Sequence, residues 1–220
     1  LASGNNNATI SQLASATWIG TGAGDWSDAS KWAVTGALGQ TGVLPDGANV
    51  AVAVLPNTFT GTLTSSAAHG HEGKIQINGG TLAVASDAYL GSTPVAAVAD
   101  KITVNGGTLQ ATDSFTLNTN RGITLGASGG TFTVDASKSL NYAGVISGTS
   151  GLTKSGSGTL ILAGTNTYGT TIVSVGTLQI GNGGTTGTLG TGAVVDNAAL
   201  VVSRSDAVTV VNTISGSGTL

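Results

Sequence analysis

Apolar and polar residues alternate in short runs along most of this chain, with a period of two. In the segment KIQINGGTLAV, the side chains of Ile75 and Ile77 would face one way and that of Gln76 the other. A period of two indicates β-strands with one buried face. No segment keeps the apolar stripe of period 3.6 that an amphipathic helix requires, so the pattern predicts an all-β fold.

The strands belong to a repeat. The segments KIQINGGTLAV, from Lys74, and KITVNGGTLQA, from Lys101, match at seven of eleven positions and lie 27 residues apart. The apolar residue after each Gly-Thr step then recurs with a mean spacing of 23 residues, which is typical of a solenoid. These residues are Leu82, Leu109, Phe132, Leu160, Leu178 and Leu220, with Leu200 in a less regular copy.

Three short strands per repeat predict a triangular coil, and the fold expected is a right-handed parallel β-helix of about nine coils. The Asn-Gly-Gly segments would form corners, because a sharp bend commonly needs the positive φ that glycine tolerates. A jelly roll or sandwich is the alternative, but neither requires this recurrence. The inward pairs of the first copy would be Ile75 and Ile77, Leu82 and Val84, and Ala88 and Leu90.

The first 60 residues differ from the rest, because they contain all three tryptophans, Trp18, Trp26 and Trp32. The end of a solenoid is an unpaired sheet edge, and bulky aromatic side chains can cover it. We therefore predict that residues 1–60 form an N-terminal cap and first coil. Residues 61–220 would form the helix repeats and end within a repeat. The alternative for Trp26 is an aromatic platform that stacks on sugar.

Composition excludes several functional classes. Charged residues make up 8 % of the chain and the net charge is −3, so no basic stripe is present and nucleic acid is not expected as a partner. The absence of cysteine excludes disulfides and thiol chemistry. Methionine is absent even at position 1, so we expect a processed or excised piece of a longer protein.

The segment GVISGTSGLTKSGSGTLILAGTNTYGTTIVSVGTLQIG, from Gly144, closely resembles the passenger-associated transport repeat of bacterial autotransporters, also called the autotransporter-associated β-strand repeat. The resemblance covers about 38 residues and rests on GLTKSGSGTL (151–160), NTY (166–168) and GTL (176–178). Tyr168 is followed directly by Gly169, about one residue tighter than the usual form. That departure could shift one turn.

The resemblance implies a passenger domain at the Gram-negative cell surface, anchored by a C-terminal outer-membrane β-barrel or released. Passengers of this kind are mostly adhesins, so the expected partners are host-cell glycans, matrix proteins or another copy of the chain. A passive stalk for export and display is one alternative. A polysaccharide-active β-helix enzyme is another, although we expect no enzyme, no catalytic residues and no cofactor.

Few residues could carry chemistry. The segment HGHEG contains His69, His71 and Glu72, the only histidines and the only glutamate; its spacing is compatible with zinc, but no third ligand of defined position is evident. We therefore favour a polar loop without metal. A loose acidic line, one residue per coil, is the other candidate, with solvated corners as its simpler interpretation. Its members would be Asp87, Asp113 and Asp135.

Overall fold

A computed structural model describes residues 12–35 and 42–220, and in these ranges the chain is a solenoid built on three β-sheets. Successive strands of each sheet are parallel and come from successive coils; one antiparallel strand at the N-terminal end is the exception. Two short 3₁₀ turns, Ala29–Lys31 and Asp87–Leu90, interrupt the strands. The predicted all-β fold is confirmed.

Sheet 1 has seven strands, sheet 2 nine and sheet 3 five within the described ranges. Sheet 1 contains β1 (Ser15–Trp18), β3 (Trp32–Thr35), β4 (Val52–Leu55), β6 (Lys74–Ile77), β8 (Val98–Val104), β11 (Arg121–Leu125) and β14 (Ile146–Gly148). Sheet 2 contains β2 (Gly24–Asp25), β5 (Thr62–Ser65), β7 (Thr81–Val84), β9 (Thr108–Ala111), β12 (Gly130–Val134), β15 (Leu152–Ser155), β17 (Thr171–Val173), β19 (Val194–Asp196) and β21 (Ile214–Ser215). Sheet 3 contains β10 (Phe115–Leu117), β13 (Ser139–Tyr142), β16 (Thr159–Leu162), β18 (Thr177–Ile180) and β20 (Ala199–Val202).

The solenoid has about seven turns rather than the nine predicted. The prediction divided chain length by repeat length, but residues at the N-terminal end form an edge strand and the last coils lack a strand in sheet 1. The corner chemistry was predicted correctly, because Gly80 and Gly106 of the two Asn-Gly-Gly segments have φ values of +58° and +94°. The right-handed sense stays a prediction.

Inward-facing side chains form the core, and most predicted inward pairs are buried. Ala88 is an exception: it is exposed, because the third side of its coil is a 3₁₀ turn and not a strand. The Gly-Thr-apolar element was also expected to stay on one face. Instead Leu109 and Phe132 are paired in sheet 2, whereas Leu160 and Leu178 are paired in sheet 3.

The three tryptophans lie at the N-terminal end, and none is more than 2 % exposed. Strand β3 pairs antiparallel with β1 and forms the outer edge of sheet 1, with Trp32 opposite Trp18. The cap differs from the prediction in that β1 and β2 already belong to sheets 1 and 2. Residues 1–11 and 36–41 of the predicted cap lie outside the described residues, and the division at residue 60 stays a prediction.

Candidate functional site

The histidines of HGHEG lie against the tryptophan cap. The ring of His69 stacks on that of Trp26, with centroids 4.7 Å apart and planes 14° from parallel, and the ring of His71 lies 5.8 Å from the same indole. Trp26 is 2 % exposed and donates its indole N–H to the carbonyl of Pro45, so it cannot offer a face to sugar. The platform alternative for Trp26 is therefore wrong.

The same histidines do not converge on a metal position. Nε2 of His71 hydrogen-bonds the carbonyl of Lys74 at 3.2 Å, and Nε2 of His69 hydrogen-bonds that of Tyr89 at 3.1 Å. Glu72 is exposed, while His71 is fully buried. No group of three acidic or histidine side chains that could hold a metal ion occurs in the described part of the chain. The polar loop expected here is instead partly core.

Acid should destabilise the N-terminal coils through His71. Burial lowers its pKa from 6.5 to about 4; the Lys74 carbonyl and Asp46 oppose this shift, whereas Lys101 and His69 add to it. Between those values the unfolded chain binds the extra proton, so stability falls as pH falls. We expect unfolding to cost about 2 kcal/mol less at pH 5 than at pH 7, measured by urea titration with tryptophan fluorescence.

The His71→Gln variant is the matched test of that pH dependence. Glutamine keeps a polar group near the Lys74 carbonyl but does not titrate, so the difference between pH 7 and pH 5 should largely disappear. An unchanged pH dependence in this variant would mean that another group is responsible.

The three aspartates of the predicted acidic line do not act together. Asp87 pairs with Arg121 at 2.9 Å, and Asp113 pairs with Lys138 at 2.8 Å. Asp135 accepts a hydrogen bond from the side-chain amide of Gln110 at 2.7 Å. Because each carboxylate has its own partner, the line is better explained by coil-to-coil bonding than by a shared ligand.

The residues that define the resemblance to the transport repeat point into the solenoid. Lys154 is fully buried and donates to the carbonyls of Ser155, Gly156 and Val175 at 2.6–3.1 Å. Burial lowers its pKa to about 8. These contacts hold a corner together, so Lys154 is not part of a phosphate loop.

The asparagine and tyrosine of the same repeat are also structural. The Asn166 side chain accepts from the backbone N–H of Ile146 and donates to the carbonyl of Thr188. The Tyr168 hydroxyl accepts from Thr171 at 3.1 Å within the core. The amide of Asn166 thus takes over hydrogen bonds that a strand would make where sheet 1 ends.

An uncharged hydroxyl surface covers the outer face of sheet 2. One row consists of threonines paired from coil to coil, and a second row beside it is also free of charge between β5 and β15. We call this surface the threonine face. Its first row is Thr62, Thr81, Thr108, Thr131 and Thr153, and its second row is Thr64, Ala83, Gln110, Thr133 and Ser155.

The threonine face is suited to repeated weak contacts. Each hydroxyl can donate and accept, so the face can bond other hydroxyls or a second such face. Parallel pairing sets a spacing of about 4.8 Å between successive threonines. The row continues towards the C-terminus as Ile172 and Val195, which are 37 % and 36 % exposed. The surface is therefore regular and nearly uncharged.

Comparison with known proteins agrees with this architecture. The model of the passenger-associated transport repeat family matches residues 152–180. The adhesin BmaC autotransporter of Brucella suis biovar 1 (strain 1330) is 38 % identical over 167 residues, which is 76 % of this chain. The chain is an autotransporter passenger repeat region. It spans 5 % of the length of that relative.

No solved structure matches this passenger region. Its described part contains no helix long and apolar enough to cross a bilayer. The family match coincides with the coil that contains Lys154, Asn166 and Tyr168, and these residues bond to neighbouring coils. The repeat signature is therefore a signature of stacking.

Proposed function

We propose that this passenger region is part of a cell-surface adhesin. It would mediate attachment to host cells or matrix, or bacterial self-association, through multivalent polar contacts. The observation that carries the proposal is the threonine face, a paired row of hydroxyls from Thr62 to Thr153 without charge. The adhesin name of the Brucella relative supports it.

Multivalency is central to the proposal because each contact is weak. A hydrogen bond to a hydroxyl contributes about 1 kcal/mol net, since water competes for both partners. Many copies held at one bacterial surface raise the effective concentration, so total binding can exceed single contacts by orders of magnitude. The proposed setting is the outer surface of a Gram-negative cell, with a C-terminal barrel of the same precursor as anchor.

The density dependence of adhesion tests this proposal. The passenger fragment is coupled to beads at a series of surface densities, and bead attachment to epithelial cells and to bacteria displaying the passenger is counted. We expect attachment to rise more steeply than in proportion to density, because neighbouring copies bind together. Attachment that does not rise with density would count against multivalent adhesion.

A passive stalk is the second candidate, and one observation favours it. The side chains that define the repeat, Lys154, Asn166 and Tyr168, are at most 5 % exposed, so the repeat itself is built for stacking. A coil that needs only its neighbour can fold as it emerges from export. Deletion of this region would then reduce secretion, while the remaining passenger would still bind its target.

A further inference from the structure

A groove of about 590 Å³ opens on the outer face of sheet 1, beside the loop of residues 91–97. Its apolar side includes Pro94, Val95 and Val98, and its polar side includes Glu72 and Lys101. Val95 is fully exposed. A concave, mostly apolar site with a few convergent polar groups is the usual form of a small-ligand site.

The loop that forms one wall of the groove is held in place from the next coil. Arg121 is fully buried and donates to the carbonyls of Gly91 and Ser92 at 2.5 and 3.2 Å. The side-chain amide of Asn120 donates to the carbonyl of Pro94 at 2.8 Å. A wall that is already fixed loses little conformational entropy when a ligand binds.

Lys101 supplies a donor at the base of the groove. Its ammonium group donates to the carbonyls of Glu72 and Gly73 at 2.6 and 2.5 Å, and the residue is 3 % exposed. An ammonium group has three N–H donors, so one remains for a ligand. Burial and the nearby Arg121 lower the pKa of Lys101 to about 8 while Glu72 opposes the shift, so the group is largely protonated at neutral pH.

The other charges of the groove balance each other. Lys74 forms an ion pair with Asp100 at 2.6 Å, and both side chains are nearly half exposed. The carboxylate of Glu72 makes no hydrogen bond or ion pair with the described residues, although it lies close enough to Lys101 to favour the charged ammonium. The groove therefore offers both a free acceptor and a free donor without a net field that selects one sign of ligand.

We propose that this groove binds a neutral sugar residue of a glycan. Sugar hydroxyls both donate and accept, so they match the Glu72 carboxylate and the Lys101 ammonium. The C–H face of a sugar ring packs on apolar surface of the kind that Pro94, Val95 and Val98 provide. The proposal deepens the adhesive function and rests on it for its biological setting, but sugar binding can be measured on its own.

The test is an NMR titration of the ¹⁵N-labelled passenger fragment with three neutral probes: methyl α-mannoside, methyl β-galactoside and N-acetylglucosamine. We expect at least one to shift amide signals of residues 72–74, 92–98 and 101 saturably, in roughly the millimolar range for so small a ligand. Glu72→Gln should weaken that binding about tenfold, because it replaces a charged acceptor.

Asp113→Asn is the matched control, since Asp113 is an exposed carboxylate outside the groove. It should leave the titration unchanged. No groove shifts with any of the three sugars would overturn the proposal. So would tighter binding of N-acetylneuraminate than of the neutral sugars, strengthened by Glu72→Gln. A folded Glu72→Gln variant, verified by its urea midpoint, that binds sugar like the parent chain would also overturn it.

The same data separate this proposal from the adhesive function. If the groove binds sugar but beads do not attach to cells, the adhesin proposal fails alone. If beads attach through the threonine face while the groove binds no sugar, the groove proposal fails alone.

Discussion

Replacing Arg121 by alanine should lower the free energy of unfolding by about 3–5 kcal/mol, the expected cost of breaking a buried ion pair. The guanidinium group is fully buried and bonds the Asp87 carboxylate at 2.9 Å together with backbone carbonyls of Leu90, Gly91 and Ser92. Without it, these acceptors lose their donor in a place that water reaches poorly. Urea unfolding followed by circular dichroism measures the loss.

Lys138→Ala is the matched control for the arginine variant. Lys138 also forms an ion pair, with Asp113 at 2.8 Å, but the two side chains are 38 % and 57 % exposed. Exposed ion pairs contribute at most about 1 kcal/mol, so this variant should be close to the parent chain. Similar losses in the two variants would contradict the structural role assigned to Arg121.

Replacing Trp32 by alanine should cost a further large amount, about 3–5 kcal/mol, because it leaves a cavity in the cap. Trp32 is fully buried, its ring lies 5.4 Å from that of Trp18 and 4.7 Å from that of Trp26, and its N–H donates to the Trp26 carbonyl. Loss of the cap also uncovers the edge of sheet 1. We expect a lower urea midpoint and concentration-dependent association in sedimentation.

Ile19→Ala is the control for the cap variant. Ile19 adjoins Trp18 but is 50 % exposed, so its loss should change stability by about 0.5 kcal/mol or less. If Trp32→Ala proves as mild as this control, the tryptophans do not form the cap that the structure indicates.

The sequence was sufficient to predict the solenoid because the strand period and the repeat period are both local. Ile75 and Ile77, or Leu109 and Ala111, alternate with polar residues whatever their partners, and all four are buried. The face that each strand occupies was harder to predict. A Gly-Thr-apolar step is the entry to a strand on any face, so it does not distinguish sheet 2 from sheet 3.

The change of face has a visible cause. The partner of Phe132 in the next coil is Lys154, a polar residue in an inward position, so the apolar signal of sheet 2 disappears there. The next Gly-Thr-apolar step, at Leu160, belongs to sheet 3. Strand parity could have marked Lys154 as inward, because Leu152 of the same strand is buried too.

The candidate surfaces were only partly predictable. Rows of threonine were expected on outer faces, but their alignment on one sheet depends on the coil register. The groove was not predicted at all, because it brings together Glu72, Lys101 and Pro94 from segments up to 29 residues apart. The HGHEG motif marked the correct region, although His71 faces the core and Glu72 is exposed.

The most direct test of the adhesive account is saturation binding of labelled fragment to epithelial cells and to bacteria displaying the passenger. The variant Thr81→Lys/Thr131→Lys interrupts the threonine face at two positions separated by one coil. Ser139→Lys/Thr177→Lys makes the same change on the outer face of sheet 3. The account predicts roughly tenfold weaker binding for the first variant and parent-like binding for the second. Equal binding by both variants would contradict it.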